Sequence, residues 1–370
     1  MNGISIKSFI VIMLVCVASI CPLQAGAEII TDTISVYRFH SSAPIREISE
    51  KTYKASIRNG QVVKGAFLEE DNNFQYGKDY PTNRLYKFSV DGHLIEMRPY
   101  DSPTHTANVT NYNYNSNGTI QNITTTYTFS DVGVKKAISR YIYDEKNHII
   151  GSTNYNIFGS LTNKGTYKYN VNGDIINETI VDGNGDFEKK ASNTYTYHPN
   201  GGVKTISSTE KDFSMDEIKT IKKEFDEEGR LLRSIEKMPW GTLDKVFSYN
   251  AAGHIEKLYY LECPFKDGTE TYEYDESNRL VKKTISYKDN SGTVIHYLYG
   301  KMIADEIPDS ISNYDSMIFL NGLAYRIKKS GNEYTYEYTL DNQGNWIKAI
   351  EYKNGVPFRM KERTISYYEQ

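Results

Sequence analysis

Histidine side chains are the groups in this sequence best suited to metal binding or acid–base chemistry. Neither a His-x3-His nor a Cys-x2-Cys spacing occurs. His93, His148 and His254 occupy one position of a repeat described below, where other copies carry Arg230 or Asp174. A position that accepts a cation, an anion or a neutral imidazole is typical of a solvated turn. We therefore predict no metal site and no cofactor from these residues.

A possible calcium loop begins at Asp182. Asp182, Asn184 and Asp186 are spaced like the first three ligands of such a loop. The rest of the pattern fails, because Phe187 stands where glycine is needed and Asn193 where a bidentate glutamate is needed. The segment therefore predicts a polar hairpin turn, with weak calcium binding as the alternative.

Nucleophilic chemistry has little support. Ser208 and Lys211 form a Ser-x-x-Lys motif, but its Ser-Asp-Asn and Lys-Thr-Gly companions are absent. A cysteine nucleophile needs a base, and no pattern couples Cys263 to a histidine. Phosphate-binding loops, nucleophile elbows and zinc-protease helices are also absent from the sequence. We predict that the protein is not an enzyme.

Composition narrows the class further. The 370 residues carry a net charge of −4, which does not indicate binding to nucleic acid or to acidic lipid. Aromatic residues make up 13%, and 32 of them are tyrosines. Disordered chains are poor in aromatics, so a folded protein is expected despite a mean hydropathy of −0.58.

Residues 1–27 predict a secretory signal peptide. Lys7 precedes an apolar run that ends at Pro22, and Ala25 and Ala27 form the small-x-small cleavage pattern. We expect export to the periplasm or the exterior, with no transmembrane segment after cleavage. Lipoprotein anchoring through Cys21 is the alternative, but bulky Ile20 precedes that cysteine.

The remaining chain is dominated by one repeated unit that opens with an aromatic-x-aromatic pair. Neighbouring units start 24 to 29 residues apart until the unit at Tyr272. The starts are Tyr86, Tyr112, Tyr141, Tyr167, Tyr195, Lys223, Phe247, Tyr272 and Tyr338. Counting the opening residue as slot 0, slot 2 is mostly tyrosine or phenylalanine, and slot 8 is always apolar. Slot 6 holds only glycine or asparagine: Gly92, Gly118, Asn147, Gly173, Gly201, Gly229, Gly253, Asn278 and Gly344.

These slots predict a hairpin in every unit. Glycine and asparagine tolerate a left-handed backbone best, and an Asx residue usually stands three positions earlier, as Asp226 does before Gly229. This is the pattern of a type I turn followed by a left-handed residue. We expect an all-β fold, an antiparallel meander of two-stranded hairpin units with a period of about 26 residues. Because open sheets rarely exceed about 10 strands without curling, the sheet should be coiled or solenoid-like, with its tyrosines inside.

The predicted organisation has five parts. Residues 1–27 are the signal peptide, 28–85 an N-terminal capping β region, and 86–296 the regular repeats. Residues 297–333 form a degenerate repeat with an inserted loop, and 334–370 a last repeat ending in a charged edge strand.

The repeats resemble those of the YD-repeat, or Rhs-repeat, family, whose signature is Tyr-x-Tyr-Asp-x-x-Gly-Arg-Leu. The nearest copies are residues 225–231 (Phe-Asp-Glu-Glu-Gly-Arg-Leu) and 272–280 (Tyr-Glu-Tyr-Asp-Glu-Ser-Asn-Arg-Leu). In large members the repeats wind into a hollow β-shell around a toxic C-terminal domain. The resemblance implies that architecture and an exported, cell-envelope setting. It does not imply toxicity, because the repeats run to residue 368 and the sequence lacks an Asp-Pro-x-Gly signature.

Tyrosines outside the repeat slots are the remaining candidates for ligand contact, because a phenol ring can stack on a partner and donate a hydrogen bond. The leading expectation is a non-catalytic interaction or scaffold module of the bacterial cell envelope, using the outer face of the sheet or residues 300–334. The alternative is a carbohydrate-binding protein. The partner is an envelope protein or a polysaccharide, and not a nucleic acid. The candidate contacts are Tyr155, Tyr259, Tyr260 and Tyr314.

Overall fold

The computed structural model describes residues 44–68, 83–105, 108–129, 131–262, 268–299, 314–320, 323–329 and 331–369. Twenty-four strands in one sheet make up the regular structure of these residues. The signal peptide, Cys263 and the insertion at 300–313 lie outside the described residues. The strands are β1 Ile45–Arg58, β2 Gln61–Phe67, β3 Arg84–Phe88, β4 Leu94–Pro99, β5 Val109–Tyr114, β6 Ile120–Phe129, β7 Gly133–Tyr143, β8 Ile149–Tyr155, β9 Leu161–Tyr169, β10 Ile175–Asp182, β11 Phe187–Tyr197, β12 Val203–Asp212, β13 Glu217–Phe225, β14 Leu231–Met238, β15 Gly241–Tyr249, β16 Ile255–Glu262, β17 Gly268–Tyr274, β18 Leu280–Tyr287, β19 Gly292–Leu298, β20 Tyr314–Leu320, β21 Leu323–Lys329, β22 Asn332–Leu340, β23 Trp346–Lys353 and β24 Val356–Tyr367.

The predicted turns are confirmed at all the slot 6 positions, each of which has a positive φ. The turn between β13 and β14 shows the geometry. Gly229, with φ 80°, donates its amide to the Asp226 carbonyl, and the Asp226 amide pairs with the Arg230 carbonyl at 3.0 Å. The Asp226 side chain accepts the Arg230 amide at 2.8 Å. The Asx residue therefore fixes the turn, and the left-handed residue returns the chain.

The sheet closes on itself, so the expectation of an open coil or solenoid is wrong. One edge of β1 pairs with β24 from Ile45↔Tyr367 to Lys54↔Arg359. Its other edge pairs with β3 and β2. Because β1 is 14 residues long, it supplies a full edge to each side and joins the first hairpins to the last one. The result is a closed barrel of hairpins.

Closure also corrects two expectations about the chain ends. β24 was expected to be an edge strand, yet it lies between β23 and β1. Two of the charges expected to protect that edge are instead paired with neighbouring strands, Arg363 with Glu50 of β1 and Arg359 with Glu351 of β23. The N-terminal region is likewise not a cap on an open edge, because β1 is a continuous part of the barrel wall.

One pair of strands departs from the antiparallel meander. β19 and β20 are parallel, from Gly292↔Tyr314 to Leu298↔Leu320. Parallel neighbours need a connection of a dozen or more residues, and the sequence between β19 and β20, residues 299–313, is long enough. The boundary that the sequence predicted between the regular repeats (86–296) and the degenerate repeat (297–333) falls inside β19.

The two faces of the sheet differ in crowding. In β11, Tyr195 and Tyr197 are half-buried, whereas Thr194 and Thr196 between them are exposed. Side chains crowd on the concave side of a curved sheet, so we assign the tyrosine face to the inside, as the sequence predicted. Few side chains are fully buried. One described core cluster contains Ile48, Phe88 and Leu94.

Candidate binding surface

Most slot 2 tyrosines are hydrogen-bonded to the preceding unit. Each of these hydroxyls donates to the backbone carbonyl of slot 8 one unit earlier. The pairs are Tyr114–Leu94 (2.7 Å), Tyr143–Ile120 (2.7 Å), Tyr169–Ile149 (2.8 Å), Tyr249–Leu231 (2.8 Å) and Tyr274–Ile255 (2.9 Å). Tyr299, two residues after Tyr297 in a pair outside the predicted units, donates to Leu280 in the same way (3.0 Å). Burial raises the pKa of Tyr114, Tyr143 and Tyr169 to about 12. The phenols therefore stay protonated and act as structural donors between units.

Histidine or arginine at slot 7 covers most of these tyrosines. The His148 ring stacks on Tyr169 with centroids 4.6 Å apart, and its Nδ1 lies 2.9 Å from an Asp144 carboxylate oxygen. Arg230 takes the same place over Tyr249, at 5.2 Å from the ring centroid. The expectation of a solvated turn exit was therefore too simple, since the imidazole or guanidinium packs on the next unit. Repetition of this contact at three histidines indicates a packing role.

An alternating row of charges crosses the inner face. Lys189 lies 3.1 Å from Glu178 and 3.3 Å from Glu210, on the strands either side. Two strands further on, Lys219 and Glu236 are 3.0 Å apart. The members of each pair are diagonal neighbours on adjacent strands and share one face of the sheet. The acidic groups of these strands thus hold the wall together from inside.

Glu270 anchors a second inner cluster. It is 7% exposed, and its carboxylate lies 2.7 Å from the Lys283 ammonium and accepts hydrogen bonds from Tyr260 and Tyr272. Burial alone would raise the pKa of Glu270, but Lys283 and the two phenols hold it below its usual value. The carboxylate is therefore an ionised acceptor that is already paired.

The structure does not bring the four candidate tyrosines together. Tyr260 faces inward and donates to Glu270 at 3.0 Å. Tyr155 and Tyr259 are on the outer face, where Arg140 lies 5.6 Å from the Tyr155 ring centroid and Tyr259 is 36% exposed. They stand on β8 and β16, about 38 Å apart along the sheet at roughly 4.8 Å per strand. Tyr314 begins β20, and its side chain lies outside the described residues.

The calcium-like segment forms a tight hairpin turn. One Asp182 side-chain oxygen accepts the Asn184 and Asp186 amides at 2.8 and 2.9 Å. Gly185, at φ 93°, completes the same hydrogen-bond pattern as the Asx-x-x-Gly turns. Among the described ranges, no three His, Cys, Asp or Glu residues are grouped so as to hold a metal ion.

An exposed patch that the sequence reasoning missed lies on the outer face of β11 and the turn after β12. The Phe187 and Phe213 rings are 46% and 37% exposed, with centroids 5.7 Å apart. The Lys190 ammonium lies 3.3 Å from the Phe187 centroid, and the Lys211 ammonium lies 4.9 Å from that of Phe213. Strand alternation counted from the tyrosine slots would have placed Lys190 and Lys211 on this face.

Comparison with known proteins identifies the class of this closed, tyrosine-lined sheet. The sequence model of the teneurin YD-shell family matches residues 127–318. That span is more than half of the chain, which therefore belongs to the YD-shell family. No curated protein matches the sequence.

One solved structure similar to this chain is that of a porin-like protein from Bacteroides uniformis ATCC 8492. The identity is 14%, the alignment covers 88% of this chain and 99% of that chain, and the TM-score is 0.27. A similarity this weak carries no argument. Within the described residues, no helix has both the length and the apolar character needed to cross a bilayer.

Proposed function

We propose that this protein is an exported, non-catalytic YD-type shell that serves as an interaction or scaffold module of the bacterial cell envelope. Its partners bind the outer face of the sheet or the segment at 300–334. Export rests on the leader-like residues 1–27, and the structural role rests on family membership.

One observation carries the proposal: the repeated polar side chains are engaged in building the wall. The slot 2 phenols bond the preceding unit, the slot 7 side chains cover those rings, and Asx side chains such as Asp226 hold the turns. A motif whose side chains make these contacts builds a rigid wall. Partners would then bind the outer face, where side chains such as Tyr259 and Leu261 are exposed.

The test is affinity capture from native envelope fractions with residues 28–370 as bait. A matched bait carries Tyr259→Ala and Leu261→Ala, which leave the inner face intact. We expect one protein in stoichiometric amount that rebinds when both components are pure. Reproducible turnover of a substrate by the purified chain, or capture of nothing above an unrelated bait, would contradict the proposal.

Carbohydrate binding is the second candidate, and the outward position of Tyr155 and Tyr259 favours it. Because these rings are far apart, each would contribute to a separate contact. Loss of polysaccharide retention on Tyr155→Ala or Tyr259→Ala, with Tyr260→Phe as the inward-facing control, would support this reading.

A further inference from the structure

The acidic side chains of β9–β13 lie mostly on the tyrosine face of the sheet, where Lys189 and Lys219 form ion pairs. Glu178, Glu210 and Asp212 share the tyrosine face, through their cross-strand pairing with Tyr167, Ala191 and Lys189. On the outer face of these strands the register places lysines, with Glu224 as the exception. We call this outer set the lysine strip: Lys164, Lys168, Lys190, Lys211 and Lys222.

Part of the lysine strip is neutralised locally and part is not. Lys211 lies 3.0 Å from Asp216, and Lys222 lies 2.7 Å from Glu224. Lys164, Lys168 and Lys190 are exposed, and none has a carboxylate partner within the described residues. Lys190 is also directly opposite Lys211 in the ladder. An anion bound at Lys190 would therefore lie close to a second ammonium group on the neighbouring strand.

Aromatic rings adjoin the lysine strip at one end. The Lys190 ammonium is 3.3 Å from the Phe187 ring centroid and 5.7 Å from that of Phe213. Between the lysines the outer face carries hydroxyl side chains, including Thr166, Thr179 and Thr209. Ammonium groups, hydroxyl groups and exposed rings together match a ligand that has anionic groups, hydroxyls and an apolar ring face.

We propose that the lysine strip and the Phe187–Phe213 pair bind an anionic polysaccharide. The glycan lies across β9–β13 with its carboxylates at Lys164, Lys168 and Lys190, and one sugar ring packs on the exposed phenylalanines. The proposal rests on the proposed function in one respect, because it needs the outer face to be free for recognition.

Charge spacing favours a glycan over a nucleic acid. Lys164 and Lys168 are four residues apart on one strand, which is about 13 Å at 3.3 Å per residue. Duplex DNA carries one charge per roughly 1.7 Å of its axis. Cations this sparse, separated by hydroxyl side chains, suit a polymer whose charges are more widely spaced than those of a nucleic acid.

The test measures binding of polygalacturonate to the full chain at low and at physiological salt, with neutral dextran and single-stranded DNA as comparison probes. The strip variant is Lys164→Glu, Lys168→Glu and Lys190→Glu. The matched control is Lys257→Glu, Lys288→Glu and Lys329→Glu, which changes the net charge equally elsewhere on the chain. A further variant, Phe213→Ala, tests the aromatic end, and circular dichroism checks that every variant is folded.

We expect salt-sensitive binding of polygalacturonate that weakens by about tenfold or more in the strip variant, as for a site held by local charges. The control variant should bind as the parent does, and Phe213→Ala should bind several-fold more weakly. The proposal is overturned if the parent does not bind polygalacturonate, if both triple variants lose binding equally, or if DNA binds the strip more tightly.

The two proposals fail separately. Glycan binding without any captured protein would overturn the protein-scaffold role and leave the lysine strip assigned. Capture of one stoichiometric protein partner, together with no binding of polygalacturonate by the chain, would support the scaffold role and overturn the lysine-strip proposal.

Discussion

Arg363 and Glu50 are 313 residues apart in the sequence, yet the Arg363 guanidinium donates to the Glu50 carboxylate at 2.8 Å across the seam between β24 and β1. Their side chains are 2% and 3% exposed. The Arg363 guanidinium also lies 3.6 Å from the Trp346 ring centroid. This pair therefore joins the first strand, the last strand and the last repeat at one point.

Arg363→Met should destabilise the protein by about 3–5 kcal/mol, because it removes one partner of a buried ion pair. Chemical denaturation measures the change. Lys64→Met is the matched control, since its pair with Glu362 is exposed on both sides, and such pairs contribute about 0–1 kcal/mol. Equal effects of the two substitutions would contradict a buried seam.

Tyr249→Phe should cost about 0.5–1.5 kcal/mol, because it removes the hydrogen bond to the Leu231 carbonyl and keeps the ring. Tyr259→Phe on the outer face provides the control and should leave the denaturation midpoint unchanged. If Tyr249→Phe also leaves the denaturation midpoint unchanged, the phenol hydroxyls do not hold neighbouring units together.

Gly229→Val should cost on the order of 1–2 kcal/mol or more, because a β-branched residue is strained at φ 80°. An added Cβ meets no atom within 4 Å, so the cost comes from the backbone and not from a clash. Gly229→Asn, which tolerates this conformation, should recover most of the loss. An unchanged melting temperature for the valine variant would refute the turn assignment.

Glu188→Gln should stabilise the protein at neutral pH. Burial, together with the negative charges of Asp182 and Asp212, raises the pKa of Glu188 above its usual value, and its Oε2 is buried with no hydrogen-bond partner among the described residues. Ionisation of Glu188 therefore opposes folding as pH rises through the raised pKa. Below about pH 4.5 the carboxyl is protonated in both the folded and the unfolded protein, so the gain should vanish there.

Glu227→Gln, in an exposed turn, is the control for this pH dependence. A stability gain for Glu188→Gln that persists unchanged at low pH would show that the carboxylate charge is not the cause.

Local features of the fold could be predicted from the sequence. The choice of Gly or Asn at slot 6 depends on one backbone angle, so Gly229 and Asn278 could be placed without knowing any distant contact. The segment from Lys211 to Lys223 is helix-like in composition, but the repeat slot at Lys223 favours strand. The structure has the end of β12, a turn and most of β13 there. The pair Tyr297 and Tyr299 was missed as a further unit, although its spacing fits and Tyr299 bonds Leu280.

The pairing that closes the sheet could not be predicted from the residues themselves, because it joins the two ends of the chain. Nothing near Glu50 specifies that Arg363 will lie opposite it, and the charges of β24 fit an exposed edge equally well. The lysine strip was hidden for a related reason. The net charge of −4 averages over both faces, and the inner carboxylates such as Glu178 and Glu210 mask the outer lysines.

Residue-resolved hydrogen exchange of β24 tests the closed sheet most directly. Residues Arg363 to Ser366 pair with β1, whereas the described pairing with β23 stops at Glu362. A closed sheet predicts slow exchange for the amides of this segment that point toward β1, lost selectively in Arg363→Met. Exchange of all amides from Arg363 to Ser366 at the rate of an unstructured chain would contradict closure.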